Sequence, residues 1–231
     1  MCSAHGSNYI AINKNKGVLQ VIINKTFEEI SLNQFVNRIK VDKYFMITQK
    51  DFDAICTPIE RIHAEVIIEF GVQQGNTAIA ILDTFSYIRE YIGIDVEKDY
   101  EPLCIFQKKE IPLDAGCFAK KDNRFRLIVK PRGTFDLTFR DMPVADFIFV
   151  DGDHSLQGIV HDTVLALATV KNDGIVCWHD YQSLSVVRET LKILSEKYCF
   201  NINIINDSNI AYSVVDFSND KFKNLILSSN T

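Results

Sequence analysis

The chain has 231 residues, a formal net charge of −5, 47% hydrophobic and 24% charged residues, which suits one large domain or one domain with an appendage. The acidic balance argues against nucleic-acid binding by bulk electrostatics, and no apolar stretch reaches membrane-spanning length. The amino terminus lacks the basic start and apolar core of a signal peptide, and the six scattered cysteines show no ligand spacing, so a cytoplasmic protein with reduced thiols is expected.

In chain order, residues 9–24 read as a β-hairpin and residues 26–40 carry apolar side chains at near-helical spacing. This front section, residues 1–47, precedes the main pattern and is treated as an accessory segment that packs on the sheet edge, covers a site or supports a homodimer. The main domain is expected over 48–231. Thr48 and Asp51 have capping-box spacing for a helix that Pro58 should break or restart. Strands are expected at 65–70, 90–94, 125–130, 145–150 and 174–178, and helices at 76–87, 155–170 and 183–197. The stretch 96–123, cut by Pro102, Pro112 and Gly116, reads as irregular. Two closing strands, 200–206 and 210–216, are joined by too short a turn for a crossover and must pair antiparallel. Alternating strands and helices followed by such a hairpin predict an α/β, doubly wound, mainly parallel seven-stranded sheet.

Chemistry gathers at strand ends. The apolar run 145–150 stops in Asp151, Gly152, Asp153, His154 and Ser155, and the run 174–178 stops in His179, Asp180 and Tyr181. In a doubly wound sheet the carboxyl ends of strands open onto the ligand crevice. Upstream, Glu69, Gly71, Gln74 and Gly75 form a strand-to-helix turn of the type Glu-x-Gly-x-x-x-Gly, with Asn76 or Thr77 as the expected helix cap. That spacing is not the dinucleotide fingerprint Gly-x-Gly-x-x-Gly. The next strand ends in Asp95, an acid placed to accept from both hydroxyls of a ribose, so a nucleoside ligand is expected.

The glycine loop, Asp95, the two acidic strand ends and the terminal hairpin together resemble the class I S-adenosylmethionine-dependent methyltransferases. The Asp151-to-Ser155 run and the His179–Asp180 pair resemble the branch of small, often metal-dependent O-methyltransferases that act on sugars and natural products. The resemblance covers roughly residues 48–217. It implies a Rossmann-like methyltransferase fold, with Gly71 and Gly75 along the methionine part of the cofactor, Glu69 orienting their loop, and Gln74 beside them. It also implies that Asp95 holds the ribose. Where the family has Gly-Asp-Ser or similar after the third strand, this chain has Arg132, Gly133 and Thr134, so Thr134 takes the adenine-side position.

Methyl transfer to a hydroxyl is an in-line displacement that needs aligned reactants and a deprotonated acceptor. A divalent cation, Mg²⁺ or Mn²⁺, would lower the acceptor's pKa, and Asp151 and Asp180 are the expected carboxylate ligands. The resemblance puts His179 or Tyr181 beside them, with His179 either a third ligand or a support behind the ligands. His154, with its pKa near neutrality, is the candidate general base, and Asp151 shares the catalytic edge. Other residues have plainer readings. Asp153 could simply cap the helix at 155–170, Trp178 is expected in the core, and His161 with Asp162 reads as a solvated helix face. The expected activity is methyl transfer to a hydroxyl of a sugar, glycolipid or small secondary metabolite. The alternatives are a metal-dependent hydrolase and a non-catalytic S-adenosylmethionine-binding protein.

Overall fold

The computed structural model describes residues 47–217, so the hairpin and helix expected at 9–40 lie outside the described residues. Helix α1, Gln49–Ile62, begins at the expected capping box: Thr48 Oγ1 accepts from the Asp51 N–H, and the Asp51 carboxylate accepts from the Thr48 N–H. Pro58 neither breaks nor restarts it. The face holding Phe52, Ile55 and Ile59 is fully buried, and that packing outweighs the hydrogen bond proline removes.

Seven strands follow: β1 Val66–Phe70, β2 Glu90–Val96, β3 Phe125–Lys130, β4 Ala145–Val150, β5 Val170–Trp178, β6 Asn203–Ile204 and β7 Ala211–Val214. They form one sheet in the order β3-β2-β1-β4-β5-β7-β6, with β7 antiparallel to β5 and β6 antiparallel to β7. Three further α-helices lie among them: α2 Asn76–Thr84, α3 Leu156–Thr169 and α4 Ser185–Tyr198. The expected fold class is therefore the observed one. β5 starts four residues earlier than its apolar run, because the chain enters it directly from α3 and absorbs a register shift opposite Ala145 and Phe147.

Strand alternation divides the core. Val66, Ile68 and Phe70 face α3 and α4, with Ile92, Ile94, Val176 and Trp178. Ile67 faces α1 and α2, with Tyr91, Phe147, Phe149 and Cys177. Both sheet faces are covered, so the central strands are apolar throughout and their polar residues collect at the carboxyl ends. Trp178 is in the core as expected, its indole N–H donating to Thr163 Oγ1 at 3.1 Å.

Candidate active site

The carboxyl ends of β1, β2, β4 and β5 border one cavity of about 450 Å³. Its lining includes Glu69, Gly71, Asp95, Gly133, Thr134, Asp151, His154, His179 and Asp180. The size lies within the range of ordinary ligand pockets.

At one end, the glycine loop leaves β1 with Gly71 at φ +83°. A Cβ at Gly71 would meet the Asp151 carbonyl oxygen at 2.1 Å and Gly152 Cα at 2.9 Å, so this crossing of two loops requires glycine. Gly71→Ala is expected to strain the backbone and push the Asp151 loop away; a fall in melting temperature together with lost S-adenosylhomocysteine binding would show it. The loop differs from expectation further along. Gly75, at φ +86°, is itself the cap of α2, with no side-chain cap from Asn76 or Thr77. Gly75 packs against Gly116, and the Gln74 carbonyl accepts from the Phe118 N–H at 2.9 Å. Neither Gln74 nor Gly75 lines the cavity, whereas Val72, Gln73, Asn76 and Thr77 do.

Asp95 sits 8% exposed at the end of β2, accepting from the Gln73 N–H at 2.6 Å and the Val96 N–H at 2.7 Å. Burial raises its pKa to about 6, against the pull of those two donors. Each oxygen retains acceptor capacity for a ligand hydroxyl. Glu69 is buried beneath, accepting from the Tyr91 hydroxyl at 2.9 Å; burial raises its pKa to about 8, so it is largely uncharged at neutral pH.

At the other end, His154 Nε2 lies 3.5 Å from Asp151 Oδ1 and 3.6 Å from Asp180 Oδ2. Asp151, His154 and Asp180 offer ligand atoms all within 4.8 Å of one another, the one such group among the described residues. His179 is not in it. Its Nδ1 is 3.2 Å from Asp151 Oδ1, and its Nε2 points toward Asp51 Oδ2 on α1 at 3.9 Å. Burial would lower the pKa of His179, but Asp151 outweighs it, with Asp51 and Asp180 adding, and raises it to about 11. Burial likewise works against ionising Asp151, and the two imidazoles overcome it, holding this carboxyl well below the usual range. His154 is pushed down by burial and more strongly up by Asp151, Asp180 and Glu110.

Asp153 does not cap α3. Ser155 does, its Oγ accepting from the Gly158 N–H at 3.0 Å, while Asp153 accepts from the N–H of Ser155 itself at 2.7 Å. The His161–Asp162 pair is not a solvated face either. Asp162 is 1% exposed and accepts from the Thr134 hydroxyl, and His161 Nε2 lies 2.8 Å from the Thr134 carbonyl oxygen. Thr134 therefore lines the cavity with its hydroxyl proton already committed to α3.

Sequence reasoning also missed polar cavity residues in the irregular stretch after β2, among them Tyr100, Gln107 and Glu110. Tyr100 donates to Asp153 Oδ2 at 3.3 Å, and Gln107 bonds the main chain of the Asp151 loop. Their only sequence signal is their place in a long loop following the ribose-site strand, because irregular stretches of this length tend to be functional.

Residues 68–181 match the family model of a methyltransferase domain. With the strand order and the cavity, this match supports a methyltransferase enzyme. Several solved structures share the fold. The methyltransferase PaMTH1 of Podospora anserina, bound to S-adenosylhomocysteine, matches at TM-score 0.53 and 14% identity over 74% of this chain and 80% of that one. The O-methyltransferase NovP matches at TM-score 0.61 and 15% identity over 76% and 83%. The O-methyltransferase TomG of Streptomyces achromogenes, from tomaymycin synthesis and in complex with S-adenosylmethionine, matches at 0.51 and 11% over 78% and 92%. Identities this low establish the fold alone. No curated protein matches the chain significantly in sequence. No helix among the described residues is long and apolar enough to cross a membrane.

Proposed function

We propose that the protein is an O-methyltransferase that moves the methyl group of S-adenosylmethionine to a hydroxyl of a small-molecule or carbohydrate acceptor. One observation carries the reading: a single cavity joins Gly71 and Asp95 to Asp151, His154 and Asp180. A nucleoside end and a hydroxyl-activating end thus share one space. A metal-dependent hydrolase would leave the Gly71–Asp95 end without an occupant.

Asp95 would hold the ribose hydroxyls, and the amino-acid part would lie along the glycine loop where Gly71 lines the cavity. The sulfonium supplies a methyl group that needs no further activation. The chain's own work is then alignment of the reactants and removal of the acceptor proton.

The donor set also fits a divalent cation. His154 Nε2 is buried without a hydrogen-bond partner among the described residues and is aimed between two carboxylates. Two oxygens and an imidazole suit Mn²⁺ or Fe²⁺ better than Mg²⁺. Asp151, His154 and Asp180 would hold the ion, and the His179 ring would orient Asp151 from behind. Such an ion would lower the pKa of an adjacent hydroxyl. With no cation bound, His154 Nε2 is itself the proton acceptor. Activity surviving chelation with the pH profile of an imidazole identifies His154 as the base, and activity abolished by chelation identifies it as a ligand.

Calorimetry tests the reading directly. S-adenosylmethionine should bind, and Asp95→Ala should weaken it at least about tenfold, the effect of losing hydrogen bonds to a charged acceptor. Affinity should also fall as pH drops below about 6, because protonation of Asp95 removes its charge. No binding at millimolar cofactor would overturn the proposal.

A further inference from the structure

We propose that Gln107 is a positioning residue for the catalytic edge, fixing the main chain of the loop that carries Asp151 and His154. Its side-chain amide makes two bonds of opposite sense to that loop. Nε2 donates to the Gly152 carbonyl at 2.9 Å, and Oε1 accepts from the His154 N–H at 2.7 Å. One planar head thereby serves groups two residues apart, as a neighbouring strand would.

The loop needs such a partner. The sheet supports it up to the Asp151 N–H, which donates to the Phe70 carbonyl at 2.9 Å. Helix α3 takes over at Ser155. Gly152 and His154 lie between these supports, where the separations of His154 Nε2 from Asp151 and Asp180 are set. Unfilled main-chain polar groups this close to the core would be costly or would draw water into the site.

Residue type matters. Asparagine is one methylene shorter, an ionised glutamate accepts but cannot donate, and methionine fills the space with neither bond. Gln107 is itself anchored, because its stretch is tied to the glycine loop. Gln73 Nε2 donates to the Glu110 carbonyl at 3.3 Å, and the Gly116 N–H donates to the Gln73 carbonyl at 2.7 Å. The stretch after β2 thus spans both ends of the cavity, and Gln107 is its hold on the acidic end.

The catalytic consequence rests on the methyltransferase reading; the loop geometry does not, so the experiment separates them. Hydrogen exchange is followed in full-length wild type, Gln107→Ala and Gln107→Glu, with S-adenosylhomocysteine binding and Mn²⁺ affinity measured on the same samples. In Gln107→Ala the His154 amide should exchange about tenfold faster while β4 amides keep their protection, since a local bond is lost without global unfolding. Gln107→Glu should restore much of that protection, because its carboxylate still accepts from the His154 N–H. Mn²⁺ affinity should fall by about tenfold in Gln107→Ala, as for loss of an outer support to a metal site, with S-adenosylhomocysteine binding little changed. Unchanged His154 exchange overturns the inference, and so does loosening of β4 together with the loop, which marks a merely structural role. Failure of wild type to bind S-adenosylhomocysteine instead overturns the methyltransferase reading and leaves the exchange result to decide on Gln107.

Discussion

Asp151→Asn is expected to cut methyl transfer by about 10²- to 10⁴-fold, the scale of removing a positioned proton-transfer or charge-stabilising group. Asn keeps the shape of the side chain and removes the charge that faces His154 at 3.5 Å and His179 at 3.2 Å. Mn²⁺ affinity should fall with activity, because an amide oxygen is a weaker ligand than a carboxylate. Cofactor binding should change little, since the contact that shapes the Gly71 crossing is the Asp151 main-chain carbonyl, which the substitution preserves. Stability should fall as well. Removing one member of a buried ion pair costs about 3–5 kcal/mol when the other must stay charged. His179 can shed its proton instead, so the loss should be smaller. Titrations with S-adenosylhomocysteine and Mn²⁺, beside methyl transfer once an acceptor is known, check the pattern. Activity within threefold of wild type would show that Asp151 is a fold residue, as a non-catalytic cofactor-binding protein would have.

Much of the fold was legible because burial on both sheet faces writes β-strands as short apolar runs. The run at 145–150 coincides with β4, and 125–130 coincides with β3 as well, although that edge strand is only partly buried. The terminal hairpin followed from chain length alone, since a short turn cannot cross over. Boundaries slipped where tertiary packing outweighed local signals. Pro58 stays inside α1 because the Phe52–Ile55–Ile59 face is locked in the core, and β6 shrinks to Asn203–Ile204 at the sheet edge.

The candidate site was legible wherever a polar residue ends a strand, for topology sends those ends to one crevice. Asp95, Asp151, His154, His179 and Asp180 all line it. Roles within that group were less so. Choosing between His154 and His179 as the third member of the cation-sized group depends on where each ring turns, and Asp51, a capping residue on a distant helix, captures one side of His179. Gln107 was invisible because its partners are main-chain atoms, which any sequence supplies. Asp162 was misread for the opposite reason. A His–Asp pair in a helix usually faces water, and only the Thr134 hydroxyl across 28 residues of chain makes its burial tolerable.

That burial gives Asp162→Asn an expected effect that reverses with pH. Burial raises the Asp162 pKa to about 7, with the Thr134 bond opposing and Asp153 adding to the rise. An exposed aspartate in the unfolded chain titrates near 3.9. The folded state therefore binds the extra proton between these values, and wild-type stability should decline as pH rises from about 4 to about 7, then level off. A gap of about three units corresponds to roughly 4 kcal/mol at most. Asn carries no such titration. Its Oδ1 can still accept from Thr134, while its added amide N–H meets a site built for an oxygen. Asp162 Oδ2 lies 2.6 Å from where a Cβ on Gly152 would stand, so there is little room for a water to satisfy that N–H. An unfilled buried donor costs about 1–3 kcal/mol at any pH. The variant should therefore be less stable than wild type near pH 4.5, where Asp162 is protonated, and more stable near pH 8, where wild type carries the buried charge. Urea unfolding at the two pH values measures the difference, and an offset of the same sign and size at both would show that Asp162 does not titrate in this range. S-adenosylhomocysteine affinity should stay near wild type in either case, because the Thr134 loop keeps the acceptor that holds it against α3.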